Sequence, residues 1–218
     1  MSGCLILDTE TTGIDEPQPI EIAWMRVTGP DNLKAEQMFS SRYKPSKPIS
    51  LGAMATHHIM DEDLAHCQPP DTFRLPDGIE YLIGHNVDFD WQAIGKPDVK
   101  RIDTLAFSRK LWPEADSHSQ GAMLYLLERK AARGYLRNSH SAQVDAYNCF
   151  RLLRRILDKL RPMTWEALWL LSEDARVPDV MPFGKHKGTL IADVPADYKR
   201  WLLGQPDVDP YLRKALAA

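Results

Sequence analysis

The sequence predicts an α/β domain with a mixed sheet and helices on its faces, and three observations carry that prediction. Short apolar runs separated by tight turns come first, strand–helix alternation follows, and a long amphipathic stretch over residues 141–161 ends at Pro162.

Residues 3–7 (GCLIL) form a short apolar run of the length and composition of a buried strand, with the acidic segment 8–13 (DTETTG) directly after it. A turn over residues 14–19 leads to a second strand over 20–27. Thr28, Gly29 and Pro30 open a hairpin turn, and residues 35–43 make a third strand antiparallel to the second. Pro45 and Pro48 interrupt the pattern before two short helical stretches over 51–57 and 61–65. Residues 78–84 (GIEYLIG) read as a strand that runs into His85–Asp90 and a helix ending near Ile94. A short strand over 99–102 follows, and Asp103 is placed to cap a helix over 104–111. Residues 121–130 are helical. In the 141–161 stretch, Val144, Cys149, Leu152, Leu153, Ile156, Leu157 and Leu160 recur mostly at three- and four-residue spacings. Beyond Pro162 the character changes. A helix over 164–173, a proline-containing segment, the turn-rich FGKHKG of residues 183–188 and two short helices near 196–203 and 209–216 read as a small separate module. The expected division is therefore a first domain over 1–161 and a module over 162–218.

Composition narrows the function classes. With 44% hydrophobic and 26% charged residues, the 218-residue chain is ordinary for a globular protein. No apolar stretch reaches membrane-spanning length, and no basic-then-apolar leader opens the sequence, so no membrane partner is expected. Cys4, Cys67 and Cys149 are too few and too scattered for a disulfide framework or a zinc site, which suits a reducing cytoplasm. A net charge of −3 excludes a polybasic nucleic-acid coat. It does not exclude a nucleic-acid substrate, because an acidic metal site beside local basic clusters gives the same balance.

The acidic residues are the informative ones. Side chains alternate along a strand, so Asp8 and Glu10 share one side. Two adjacent carboxylates at the end of a buried strand repel each other and are costly to desolvate. A shared proton, a hard divalent cation with oxygen ligands, or simple solvation in a turn would each relieve that cost. Asp90 follows an apolar strand, in a segment with His85, Asn86 and Phe89. Strand ends on one edge of an α/β sheet converge on one crevice, although an aspartate here also suits a helix cap. Asp88 is expected to face elsewhere. His140 precedes the long helix and Asp145 lies about a turn inside it. That places an imidazole, which titrates near neutral pH, beside a rigidly held carboxylate. A surface histidine and an acid complementing the helix dipole would look the same.

Taken together, DTETTG (8–13), HNVDFD (85–90) and HSAQVD (140–145) resemble, in order and spacing, the three motifs of the DnaQ-like 3′→5′ exonucleases. The histidine of the third motif is that of their DEDDh branch, and the match covers roughly residues 3–160. The segments ISLGAMATHHI (49–59) and SRKLWP (108–113), and the tail with FGKHKG and DYKRWL (197–202), resemble one DNA-degrading member of that family. The resemblance implies a ribonuclease-H-like fold, and two Mg²⁺ or Mn²⁺ ions held by Asp8, Glu10, Asp90 and Asp145, with Asp8 bridging. It implies His140 as general base and release of 5′-mononucleotides from DNA 3′ ends, in repair or end processing. The backbone at Thr9, Thr11, Thr12 and Gly13 is expected to line the terminal nucleotide, with Ile14 as an apolar rest and His57 beside it. Gly52 departs from the pattern, since proofreading relatives carry an acidic residue there. Arg42, Lys44, Lys47, Lys185, His186 and Lys187 are candidate phosphate contacts. The module is a candidate for a nucleic-acid or protein contact. Two other readings are an exoribonuclease of the same fold and a non-catalytic nucleic-acid-binding module. The latter predicts loss of a ligand or of the base, and all five positions are filled.

Overall fold

The computed structural model describes residues 3–218. Strands β1 (Gly3–Thr11), β2 (Pro19–Val27) and β3 (Ala35–Arg42) form an antiparallel meander. After α1 (Leu51–His57), β4 (Ile79–Gly84) and β5 (Lys100–Asp103) add in parallel, giving a five-stranded mixed sheet in the order β3-β2-β1-β4-β5. Cys4–Leu7 are fully buried because β1 is central and covered on both faces, which is why this run is continuously apolar rather than alternating. At the other extreme β3 is an edge strand and mostly exposed; its Phe39 stacks on Trp24 of β2 at 5.3 Å.

The acidic segment belongs to β1 itself. The apolar run stops at Leu7, but pairing with β2 continues through Glu10↔Glu21 to Thr11↔Pro19, so the strand alternation read for Asp8 and Glu10 holds. Asp8 and Glu10 therefore project from rigid strand. Helix α2 (Val87–Ala93) starts two residues earlier than the sequence indicates, so Asp90 lies inside it and caps nothing; the cap position is Asn86. Asp88 turns away to pair with Arg101 at 2.5 Å. Asp103 does cap α3 (Thr104–Leu111), accepting from the Leu105 N–H at 2.9 Å. Helix α4 (Gln120–Tyr135) outruns its expected end at Lys130, with a kink at Glu128. Its later residues, including Gly134, lack apolar periodicity, yet Ala132 is buried. The Glu128 carboxylate accepts from Arg155 at 2.9 Å. Helix α5 (Ala142–Leu160) packs its apolar face across β1 and β2.

The chain divides into two compact units, Met1–Ser172 and Glu173–Ala218. The boundary falls within α6 (Trp165–Ala175), one helix later than the break at Pro162 indicates. The first turns of α6 belong to the first unit: Tyr81 donates to Glu166 at 2.6 Å, Lys100 pairs with Glu166 and stacks on Trp169, and Ser172 Oγ accepts the Asp103 N–H at 2.9 Å. The second unit has its own core of Met181, Ile191, Val194, Leu202, Leu212 and Leu216, built around α7 (Ala196–Leu203) and α8 (Pro210–Ala217). Among the described residues, no helix is long and apolar enough to cross a membrane.

Candidate active site

Parallel pairing of β1 with β4 stops at Ile6↔Ile83, and β4 then turns into α2. Beyond that point β1 carries Asp8 and Glu10 past the carboxyl ends of β4 and β5, where open α/β sheets form ligand crevices. The N-terminal end of α5 brings Asp145 to the same place. One oxygen from each of Asp8, Glu10 and Asp145 lies within 4.8 Å of the others. His140 stands just before α5 with a left-handed backbone (φ 67°), and its N–H donates to Asp145 Oδ2 at 2.8 Å. Asp145 thereby anchors the segment that carries the imidazole. Asp8, His85, His140 and Asp145 face a shared cavity of about 380 Å³.

Asp90 stands apart from this triad. It is buried on α2, and its Oδ1 accepts from both the Thr9 N–H (3.0 Å) and the Thr9 hydroxyl (2.7 Å). Thr9, between the two acids of β1, thus fixes the fourth carboxylate. His85 is held by Thr104 Oγ1 at 3.0 Å and the His118 carbonyl at 2.9 Å, and its burial lowers its proton affinity.

The electrostatics of this cluster favour a counter-charge. Burial, then repulsion from Asp90, Asp145 and Glu10, pushes Asp8 well above the usual carboxylate range. Burial and the charge of Asp145 push Glu10 up to about 8. Asp90 is raised to about 7 by burial, against the two Thr9 hydrogen bonds that oppose the shift. Asp145 is raised by burial in spite of its bonds from His140 and Asn148. Without a counter-charge all four bind protons more tightly than ordinary carboxylates, and Glu10 keeps its proton at neutral pH. The triad offers only carboxylate oxygens, which fits a hard divalent cation such as Mg²⁺ or Mn²⁺ and not a soft or nitrogen-seeking metal.

Comparison with known proteins gives the same reading. The family profile described as "Exonuclease" matches residues 5–153, which hold all three motifs. The chain belongs to the exonuclease family. A second profile, described as "Putative quorum-sensing-regulated virulence factor", matches residues 174–206 of the C-terminal unit. The exonuclease is 29% identical to Exodeoxyribonuclease 10 of Escherichia coli (strain K12) over 97% of this chain and 96% of that protein. It is 29% identical to the PolC-type DNA polymerase III of Lacticaseibacillus paracasei over 60% of this chain and 12% of that protein. Among solved structures it is similar to exonuclease X in complex with 5′-overhanging duplex DNA, with a TM-score of 0.66 and 28% identity over 78% of this chain and 99% of the other. The Escherichia coli ExoI–ssDNA complex shares the fold, with a TM-score of 0.59 over 75% of this chain and 42% of the other. The five-stranded mixed sheet with flanking helices is thus the ribonuclease-H-like fold that the motifs imply.

The expected substrate contacts of this exonuclease divide in two. The threonine hydroxyls are engaged within the frame: Thr9 on Asp90, Thr11 on the Gly13 carbonyl at 3.0 Å, and Thr12 accepting the Gln18 N–H at 3.2 Å. His57 is buried; its Nδ1 accepts the Ile59 N–H at 3.0 Å, so Nε2 donates to the Thr11 carbonyl at 3.2 Å. Neither nitrogen is left for a ligand, and the ring pins the end of β1. By contrast Ile14 is 90% exposed, and Leu51, within the segment 49–59, is 83% exposed. The Ser50 N–H donates to the Thr12 carbonyl at 2.9 Å, so the two apolar side chains stand on adjoining segments. Arg42, Lys44 and Lys47 bond within the protein, to Glu21, the Ala65 carbonyl and the Asp15 carbonyl.

Two further residues escaped the sequence motifs. Asn148 donates to Asp145 Oδ1 at 3.3 Å from one turn further along α5, an i,i+3 pairing that its spacing could have revealed. Glu21 sits directly across from Glu10 in β2 and is buried. An acid inside PIEIAWMRV is itself a signal, since a strand otherwise apolar at that point has to satisfy it.

The raised carboxylates set a pH dependence. Their folded pKa values lie above the unfolded ones, so protonation favours the folded state, and that contribution is lost as pH rises through about 7 to 8. His57 and His85, whose pKa values are lowered, act oppositely but only below about 6.5. Between pH 8.5 and 7.0 the carboxylates therefore dominate. The metal-free protein should gain about 1–3 kcal/mol over that window, from one to two protons. Its Tm should rise by about 4 °C or more as pH falls, and saturating Mg²⁺ or Mn²⁺ should abolish or reverse the trend. A thermal melt series with and without EDTA measures it; a flat metal-free profile would contradict the charge arrangement.

Proposed function

We propose that this protein is a metal-dependent 3′→5′ exodeoxyribonuclease that removes 5′-mononucleotides from DNA 3′ ends. The reading is carried by the carboxylate triad of Asp8, Glu10 and Asp145 with His140 tied to Asp145, where Asp8, His140 and Asp145 line one cavity. Asp8, Glu10 and Asp145, with Asp90 set further back as the fourth carboxylate, would hold two Mg²⁺ or Mn²⁺ ions. When bound, such ions lower the pKa of attacking water and stabilise charge on the attacking and leaving oxygens. His140 accepts the proton of the water that attacks the terminal phosphodiester, as general base. Ile14 and Leu51 give the terminal bases an apolar rest that is indifferent to sequence, as a non-specific nuclease needs. Cys4, Cys67 and Cys149 are all free thiols, which supports work in a reducing cytoplasm, in repair or end trimming.

A matched panel of 3′-labelled single- and double-stranded DNA and RNA tests the substrate. Release of labelled mononucleotide from DNA well ahead of RNA is expected; equal or faster release from RNA would favour an exoribonuclease.

For the C-terminal unit we propose contact with single-stranded DNA. His186 of FGKHKG packs on Tyr198 at 4.6 Å, and Tyr198 packs on Trp201 at 5.3 Å. Trp201 is 56% exposed, and Lys185 and Lys187 flank His186 on an exposed turn. An aromatic platform edged by cations is the pattern that stacks bases and meets phosphates. In the full chain, Trp201→Ala with Lys185→Glu and Lys187→Glu should weaken metal-free binding of a 20-nucleotide single strand by about tenfold, as loss of one stacked base and two phosphate contacts implies. Binding of a trinucleotide should be unchanged. Unaltered anisotropy with the long strand would argue for a protein-docking module.

A further inference from the structure

We propose that Glu21 is a positioning residue for the reaction, which clamps the start of α5, and with it His140 and Asp145, to the sheet beside Glu10. The inference rests on the exonuclease reading of the site. Glu21 lies on β2 directly opposite Glu10 of β1. A carboxylate buried at that point is strongly unfavourable unless its oxygens are satisfied, and both are. Oε1 accepts from Arg42 Nε at 3.1 Å. Oε2 accepts from the Ala142 N–H at 2.9 Å and from the Ser141 hydroxyl at 3.4 Å.

Those partners define the role. Ala142 is the first residue of α5, and its N–H has no acceptor within the helix. Ser141 occupies the cap position but its side chain makes no capping bond. The cap comes instead from a strand residue 121 positions earlier in sequence. It places a negative charge at the positive end of a 19-residue helix. One turn later the same helix presents Asp145, which holds the His140 N–H. A continuous path of contacts thus runs from Glu10 across the β1–β2 pair to Glu21, then to Ala142, Asp145 and His140. Loosening it displaces the base and one metal-binding carboxylate together, without touching either. Glu21 stands outside the group whose oxygens come together to hold an ion. Arg42 serves here as the charge partner of the clamp.

The test compares Glu21→Gln with Glu21→Met in the full-length protein. Glutamine keeps an oxygen that can accept the Ala142 N–H, whereas methionine fills the same space without one. Folding is checked by thermal melts, turnover on a 3′-labelled oligonucleotide, and Mn²⁺ binding without substrate by electron paramagnetic resonance. Glu21→Met is expected to lower kcat by about 100-fold, the scale of a misplacement near 1 Å, with KM within about threefold. Glu21→Gln should recover kcat to within about tenfold of the native enzyme, and its Mn²⁺ affinity should fall far less than that of Glu10→Gln. A folded Glu21→Met with kcat within about threefold of native, or equal losses in the two variants, would overturn the clamp. Loss of Mn²⁺ binding in Glu21→Gln as complete as in Glu10→Gln would make Glu21 a ligand instead. His140→Ala and Asp145→Ala run alongside: if they too keep full activity, the site reading itself fails, not the clamp alone.

Discussion

Replacing His140 by alanine is expected to lower kcat by about 100- to 10,000-fold, the usual contribution of a positioned general base, while KM for an oligonucleotide stays within a few-fold. The split follows from the contacts. The side chain of His140 is exposed and joins no core, and the bond that fixes its segment to Asp145 uses the backbone N–H, which alanine retains. The left-handed backbone at this position (φ 67°) also survives the substitution, though less comfortably. Metal affinity and the melting temperature should therefore change little. Steady-state kinetics with a 3′-labelled substrate, together with Mn²⁺ titration, separates the two effects. Turnover within about threefold of native would remove His140 as the base.

The substitution Asp8→Asn is expected to cost about a thousandfold in turnover, or several kcal/mol of transition-state charge stabilisation. Asp8 is the carboxylate on which Asp90, Asp145, Glu10 and Glu21 all press, so it stands at the centre of the acidic cluster. Burial and that repulsion already disfavour its charged form in the metal-free protein. The neutral amide should thus raise metal-free stability by about 1 kcal/mol or more, about 2–4 °C in Tm, while the Tm increase on adding Mg²⁺ disappears. Gain in stability with loss of activity is the signature of a site strained for its ion. A variant less stable than native without metal would contradict this account of Asp8.

Much of this was legible in the sequence because the chemistry demands charged residues where packing alone would reject them. Asp8, Glu10 and Asp145 interrupt strand and helix patterns at fixed spacings, and the structure gathers their oxygens within 4.8 Å. What stayed hidden depends on contacts distant in sequence. The last pairs of β1, out to Thr11↔Pro19, are set by β2, and the apolar run ending at Leu7 marks only the fully buried part of the strand. The sequence points to the backbone at Thr9, Thr11 and Thr12 for a nucleotide but says nothing of their hydroxyls, whose bonds to Asp90, Gly13 and Gln18 brace this strand end. His57 likewise offers two ring nitrogens in the sequence and none in the fold. Arg42 resembles a phosphate contact until Glu21 appears across the strand pair. The end of α4 was lost because residues past Lys130 carry little apolar periodicity, and tertiary burial of Ala132 supports them instead.

The central claim is that this acidic strand end cuts DNA from its 3′ terminus with divalent metal. One oligonucleotide duplex with a recessed 3′ end, labelled in parallel at its 5′ or 3′ terminus, tests it in a single time course with Mg²⁺ or EDTA. With Mg²⁺, the 5′-labelled strand should shorten one nucleotide at a time, while the 3′ label leaves first as a 5′-mononucleotide. EDTA should stop both. Early release of the 5′ label as a mononucleotide, internal cuts, or undiminished turnover in EDTA would contradict the account.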